Sequence, residues 1–121
     1  MDLQRLIDQV KAHADIRQAG MILTHNGVVR ETSSDGTTRV SGLTVSVDHD
    51  RLADAVARHR QMPGIIDIVV EIVEDRPLAV GDDIMGIVVA GDVRGNVFAA
   101  MQSLLDEIKS AVTRKDETPA D

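Results

Sequence analysis

The sequence predicts an α+β fold, with helices packed against a mixed or antiparallel sheet. Three observations carry this. Apolar residues recur at helical spacing near both ends of the chain. Between them lie segments with strand-like alternation or dense β-branched content. The resulting order is αββαββα.

Residues 2–18 read as a helix, with Leu3, Leu6, Ile7 and Val10 on one face, Asp2 as cap and Gly20 as stop. The next stretch, GMILTHNGVVR at 20–30, opens a strand at Met21-Ile22-Leu23. Thr24-His25-Asn26 interrupts it, and it resumes after Gly27 to finish on Arg30. Two readings fit: a bulged edge strand with a solvated cation, or a strand carrying an anion-binding arginine to a pocket mouth. SSDGTT at 33–38 is a turn, since Asp-Gly favours positive backbone angles. Leu43, Val45 and Val47 alternate with polar residues, so 20–47 is expected to form a hairpin.

Residues 48–59 predict a second helix, capped by Asp50 and carrying Leu52, Ala55, Val56 and His59 on one face; Pro63-Gly64 breaks it. IIDIVVEIV at 65–73 is a strand, and 75–83 reads as a connection. IMGIVVAG at 84–91 is a strand buried on both faces. The last helix repeats Val97, Met101, Leu104, Ile108 and Val112, with Lys109 on its flank beside Gln102 and Leu105. The division that follows is one domain over 1–112 and a polar tail over 113–121, expected to fray unless a partner orders it.

Bulk properties narrow the function. The 121 residues suit one domain. A net charge of -7 argues against a nucleic-acid partner, which needs a basic face. Phe98 is the only aromatic residue, so stacking on bases has almost no platform. A core without aromatics buries less area per side chain, which leads us to expect a homo-oligomer interface. Cysteine is absent, excluding thiolate chemistry and disulfides. No secretory pattern and no apolar run of membrane-spanning length is visible, so the expectation is a cytoplasmic protein that does not enter a membrane.

Candidate chemistry is sparse on pattern alone. GDVRGN at 91–96 leads from a strand into a helix start and carries Arg94; an ordinary turn is the favoured reading over an anion site. His13, His25, His49 and His59 are scattered, and Asp48-His49-Asp50 is too local to converge on one ion, so no metal site and no cofactor are expected. Ser33, Ser34 and Ser103 have no nucleophile motif around them. Lys109, Arg114 and Lys115 near the end of the last helix suit either a helix C-terminus or a phosphate-holding cluster.

Taken in order, these pieces resemble the large, catalytic subunit of molybdopterin synthase. The family's G-x-x-x-T-x-x-G-x-V-R strand is similar to Gly20, Thr24, Gly27, Val29 and Arg30. Its L-x-x-G-D/E turn is similar to Leu78, Gly81 and Asp82, and the helix with a phenylalanine and D-x-L-K is similar to DVRGNVFAAMQSLLDEIK, with Arg94, Phe98, Asp106 and Lys109 in place. The likeness spans about 20–117. It implies an α/β-hammerhead fold, a homodimer, and transfer of sulfur from a ubiquitin-like small subunit, whose C-terminal Gly-Gly carries a thiocarboxylate. The implied substrate is a cyclic pyranopterin monophosphate. Arg30 and Arg94 would hold anionic groups, Lys109 would be the catalytic lysine with Lys115 as the second, and His25 takes a substrate-facing aromatic's position. Val93 stands where the family has histidine, and no Pro-x-Trp precedes Lys115. The alternative implied by those departures is a non-catalytic homologue that binds a pterin or a Gly-Gly-tailed protein. With Arg94 and Lys109 in register, the pocket reading of Arg30 is preferred.

Overall fold

In the computed structural model, which describes residues 1–120, strand β5 (Asp83–Gly91) is the spine. Its Ile87, Val88, Val89 and Ala90 are wholly inaccessible to solvent. It has partners on both edges, β1 (Met21–Val28) and β3 (Ile65–Ile72), in an antiparallel sheet ordered β1-β5-β3. Side chains of a strand alternate between faces. Val88 and Ala90 therefore meet helix α1 (Leu3–Lys11) through Leu6 and Val10. Ile87 and Val89 meet the opposite layer, helices α2 (His49–Arg60) and α3 (Arg94–Glu107), in the larger core. The absence of any polar residue between Ile84 and Gly91 is what two covered faces require.

A second antiparallel sheet is ordered β4-β2-β6, from Leu78–Ala79, Val40–Val47 and Thr113–Pro119. Leu43, Val45 and Leu78 carry it into the same core as α2 and α3. The Asp48 N–H donates to the Val112 carbonyl at 2.9 Å and ties the end of β2 to the chain just before β6. The helices on antiparallel sheets are the α+β arrangement expected.

Several boundaries differ from expectation. β1 and β2 do not form a hairpin; they belong to different sheets, and the Thr32–Arg39 bridge lies in the loop between them. The Asp35-Gly36 turn, with Gly36 at φ 77°, closes that small loop and not the flanking strands. β1 runs unbroken through Thr24-His25-Asn26, and its irregularity falls one step later, between Gly27 and Val28. The first helix stops at Lys11, and a separate 3₁₀ turn covers Ile16–Gln18. Asp48, not Asp50, caps α2 by accepting from the Arg51 N–H at 3.1 Å. The connection at 75–83 contains β4.

The polar tail is not frayed over the described residues. It is β6, paired residue by residue with β2, Lys115 opposite Val45. Its order comes from the backbone ladder, and a charged strand suits a sheet edge. Asp121, the last residue of the expected tail, lies outside the described residues.

Candidate functional site

The sequence signatures at 20–30 and 78–82 meet in space. Val29 is buried and bonded at both polar groups: its N–H donates to the Asp82 carbonyl at 2.9 Å, and its carbonyl accepts from the Gly81 N–H at 2.7 Å. Gly81 takes φ 92°, which a side chain would strain. Asp82 closes the turn by accepting from the Ala79 N–H at 2.8 Å, and Leu78 is buried beneath it. This clamp fixes the end of β1, so the next residue, Arg30, leaves the strand in a set direction.

Helix α3 ends in a widened π turn, Ile108–Val112. Ile108 and Val112 stay buried while Lys109 is held on the outside. Such turns inside a helix are frequent at functional sites. The chain then enters β6 and presents Lys115.

These devices converge. Arg30, Lys109 and Lys115 line one cavity of about 580 Å³, with Val28, Leu43 and Ile84 as apolar wall. Thr32, Ser34 and Glu117 also line it. The cations outnumber the single carboxylate, so the cavity suits an anion. Lys115 is exposed as a residue, yet the surrounding wall desolvates its ammonium. That desolvation, the nearby Lys109 and, more weakly, Arg30 hold its pKa below the usual lysine value, against an opposing pull from Glu117. A lysine so placed is more readily neutral and able to accept a proton or attack an electrophile.

Arg30 is not wholly free for a ligand. Its Nε donates to the Thr32 carbonyl at 3.1 Å, and its Nη2 to the carbonyls of Ser33 (2.8 Å) and Ser34 (3.1 Å). His25 points along β1 toward Gly27, where an added Cβ would lie 3.4 Å from its Nε2. That nitrogen is buried and has no hydrogen-bond partner in the described chain. Burial, then the Lys109 charge, lowers the His25 pKa, so the ring is neutral near pH 7.

Arg94 does not join the cluster. It opens α3, fifteen positions before Lys109, and a helix rise of about 1.5 Å per residue separates the two by about 20 Å. Just before α3, Asp92 Oδ1 accepts from the Val93 N–H (2.6 Å) and from the Asn96 side-chain Nδ2 (2.9 Å). Among the described residues no group of His, Asp or Glu side chains converges to hold a metal ion. Nor is any helix there long and apolar enough to cross a membrane. Sequence reasoning did not single out Thr32 or Glu117 and set Ser34 aside for want of a nucleophile motif: hydroxyls in a polar loop and a carboxylate in a polar tail carry no periodic signal.

The family model described as MoaE protein matches residues 1–111. The chain belongs to the MoaE family. That membership places it in molybdenum cofactor biosynthesis. MoaE relatives of known structure share the fold at low identity. The molybdopterin synthase from Staphylococcus aureus is 22% identical with a TM-score of 0.71, covering 86% of this chain and 77% of its own. A MoaE protein from Burkholderia ambifaria MC40-6 is 21% identical with a TM-score of 0.75, over 99% and 81% of the two chains. A complex of subunits 1 and 2 of molybdopterin-converting factor from Helicobacter pylori 26695 aligns at 14% identity and a TM-score of 0.71, over 100% and 85%. No curated protein in the comparison matches the chain in sequence.

Proposed function

We propose that this chain is a catalytic large subunit of molybdopterin synthase, acting in the cytoplasm as a homodimer. It would take sulfur from the C-terminal Gly-Gly thiocarboxylate of a ubiquitin-like small subunit and deliver it to a cyclic pyranopterin monophosphate. The observation that carries this reading is the shared cavity of Arg30, Lys109 and Lys115. A phosphate or thiocarboxylate entering it gains charge-assisted hydrogen bonds. Lys109 is the principal catalytic lysine in this reading. Lys115, its charge disfavoured, is the proton acceptor or nucleophile beside it. His25 contributes a neutral ring near the substrate. Arg94 stands apart from the cavity within one chain, so its role in holding an anion requires a second copy to bring it there.

The rival reading is a non-catalytic homologue, suggested by Val93 and by the missing Pro-x-Trp before Lys115. The position of Lys115 favours the enzyme, because the lysine reaches the cavity without that segment. The test is conversion of the pyranopterin monophosphate by this protein with a thiocarboxylated small subunit. Turnover is expected from the native chain and not from Lys109→Ala, with the fold of the variant intact by circular dichroism. Full turnover by Lys109→Ala would remove the assignment. Binding of the small subunit without conversion would favour the non-catalytic homologue.

A further inference from the structure

The loop that rims the cavity is more tightly organised than its sequence suggests. Residues 32–38 read TSSDGTT and contain no apolar anchor, so burial of apolar surface cannot order them. Polar bonds do so instead, and they centre on one oxygen. Asp35 Oδ1 accepts from Ser33 Oγ (2.6 Å), Thr37 Oγ1 (2.7 Å) and the Thr37 N–H (3.0 Å). Ser33 Oγ accepts in turn from the Thr38 N–H at 3.1 Å, and Ser33 is buried although most of its loop neighbours are exposed. The Ser33 N–H donates to the Thr38 carbonyl at 2.7 Å and closes the ring. Its outer side faces the cavity through Thr32 and Ser34.

The carbonyls of this same loop hold Arg30. Three of them, from Thr32, Ser33 and Ser34, accept from its Nε and Nη2. Only Nη1 has no bond to the described chain. The loop thus fixes the guanidinium plane before any ligand arrives, and leaves one edge of it for an anion. Ordering a donor in advance strengthens binding because that ordering is not lost from the binding free energy.

We propose that Asp35 is a positioning residue for the anion site: by locking the loop at 32–38 it sets the orientation in which Arg30 faces the cavity. This rests on the anion-binding reading of the cavity above. The three donors to the Asp35 carboxylate, Ser33 first, lower its pKa to about 2, so the lock stays ionised across the working pH range.

Charge and position make opposite predictions here. Removing a negative charge near a cationic cavity should by Coulomb attraction strengthen anion binding. Loss of the lock should weaken it. Asp35→Ala removes both charge and acceptor, whereas Asp35→Asn removes the charge and keeps Oδ1 as acceptor. Sulfate is the probe, because it does not titrate near neutral pH. Its affinity is measured by NMR titration, together with ordering of the Arg30 Nε–H by ¹⁵N relaxation. We expect Asp35→Ala to bind sulfate about tenfold more weakly, with a mobile Arg30 Nε–H. Asp35→Asn should bind at least as tightly as the native protein and keep Arg30 ordered. Equal or tighter binding by Asp35→Ala, or an Arg30 that stays ordered in it, overturns the positioning role and leaves the cavity reading standing. No sulfate binding by the native protein overturns both. Asp35 is on an exposed loop outside the core, so both variants should fold; their melting temperatures verify this.

Discussion

Lys109 sits within the π turn that ends α3, and Lys115 lies three residues beyond that turn on β6; they line the same cavity, and desolvation followed by the Lys109 charge lowers the Lys115 pKa. The spacing explains why a polar tail lines the cavity. The π turn keeps Lys109 outward while burying Ile108 and Val112. β6 then runs back along β2 and carries Lys115 past it.

Lys109→Ala should therefore raise the Lys115 pKa toward the ordinary lysine value without restoring it, since desolvation remains the larger cause. The measurement is a pH titration of the Lys115 side chain by NMR in selectively labelled protein. A stability effect accompanies it. With the folded pKa lowered, the unfolded chain binds more protons between that value and the usual 10.5. Stability thus rises with pH across this window. The rise should be smaller in Lys109→Ala. An unmoved Lys115 would mean that the two ammonium groups do not sense each other.

Two histidines should tilt acid stability in opposite directions. His25 has a lowered pKa, from burial first and Lys109 second. Its unfavourable protonation begins to cost stability as pH falls below 6.5, and the loss is complete below the lowered folded value. His49 has a raised pKa because Glu74 accepts a hydrogen bond from it at 2.8 Å and attracts its charge. Its contribution is present below 6.5 and is lost as pH rises through the raised value. His25→Phe should make unfolding less sensitive to acid between pH 7 and 5, and His49→Gln more sensitive. The second effect should be small, as His49 is largely exposed. Urea titrations at several pH values decide it; parallel pH profiles for native protein and His25→Phe would contradict the burial of this imidazole.

The parts of the fold legible in the sequence were those with a periodic apolar pattern. The run at 84–91 announced β5, and the Val97 to Val112 stripe announced α3, because burial dictates those residues directly. Strand pairing was not legible. A hairpin between β1 and β2 is the economical choice from order alone, but β1 pairs with β5 while β2 pairs with β4 and β6, and Leu23 and Leu43 reach the same core from the two separate sheets. β6 was invisible for a different reason: TRKDETP is ordered by backbone bonds to β2, which leave no trace in side-chain pattern. At the site, Arg30, Lys109 and Lys115 were named from the sequence, and the structure brings them together. Arg94 was named on the same grounds and lies at the far end of its helix. Asp35 was visible only as half of a turn signal, since its three hydrogen bonds depend on how the loop closes.

His59 and Ser103 provide a test of packing away from the cavity. His59 is 4% exposed, and its Nδ1 lies 2.7 Å from the Ala55 carbonyl, where it must donate. In the neutral ring Nε2 is then an acceptor, and Ser103 Oγ, at 2.9 Å, donates to it across the contact between α2 and α3. Ser103 thus acts as a tie between helices. Ser103→Ala should leave the buried Nε2 without a partner and cost about 1–3 kcal/mol in urea unfolding. Removing both partners, as in His59→Leu with Ser103→Ala, should cost less than the sum of the single changes, because no polar atom is then stranded. The size of that non-additivity measures the bond itself. Strict additivity would mean that the imidazole gains nothing from the serine and that the two helices are held by their apolar contacts alone.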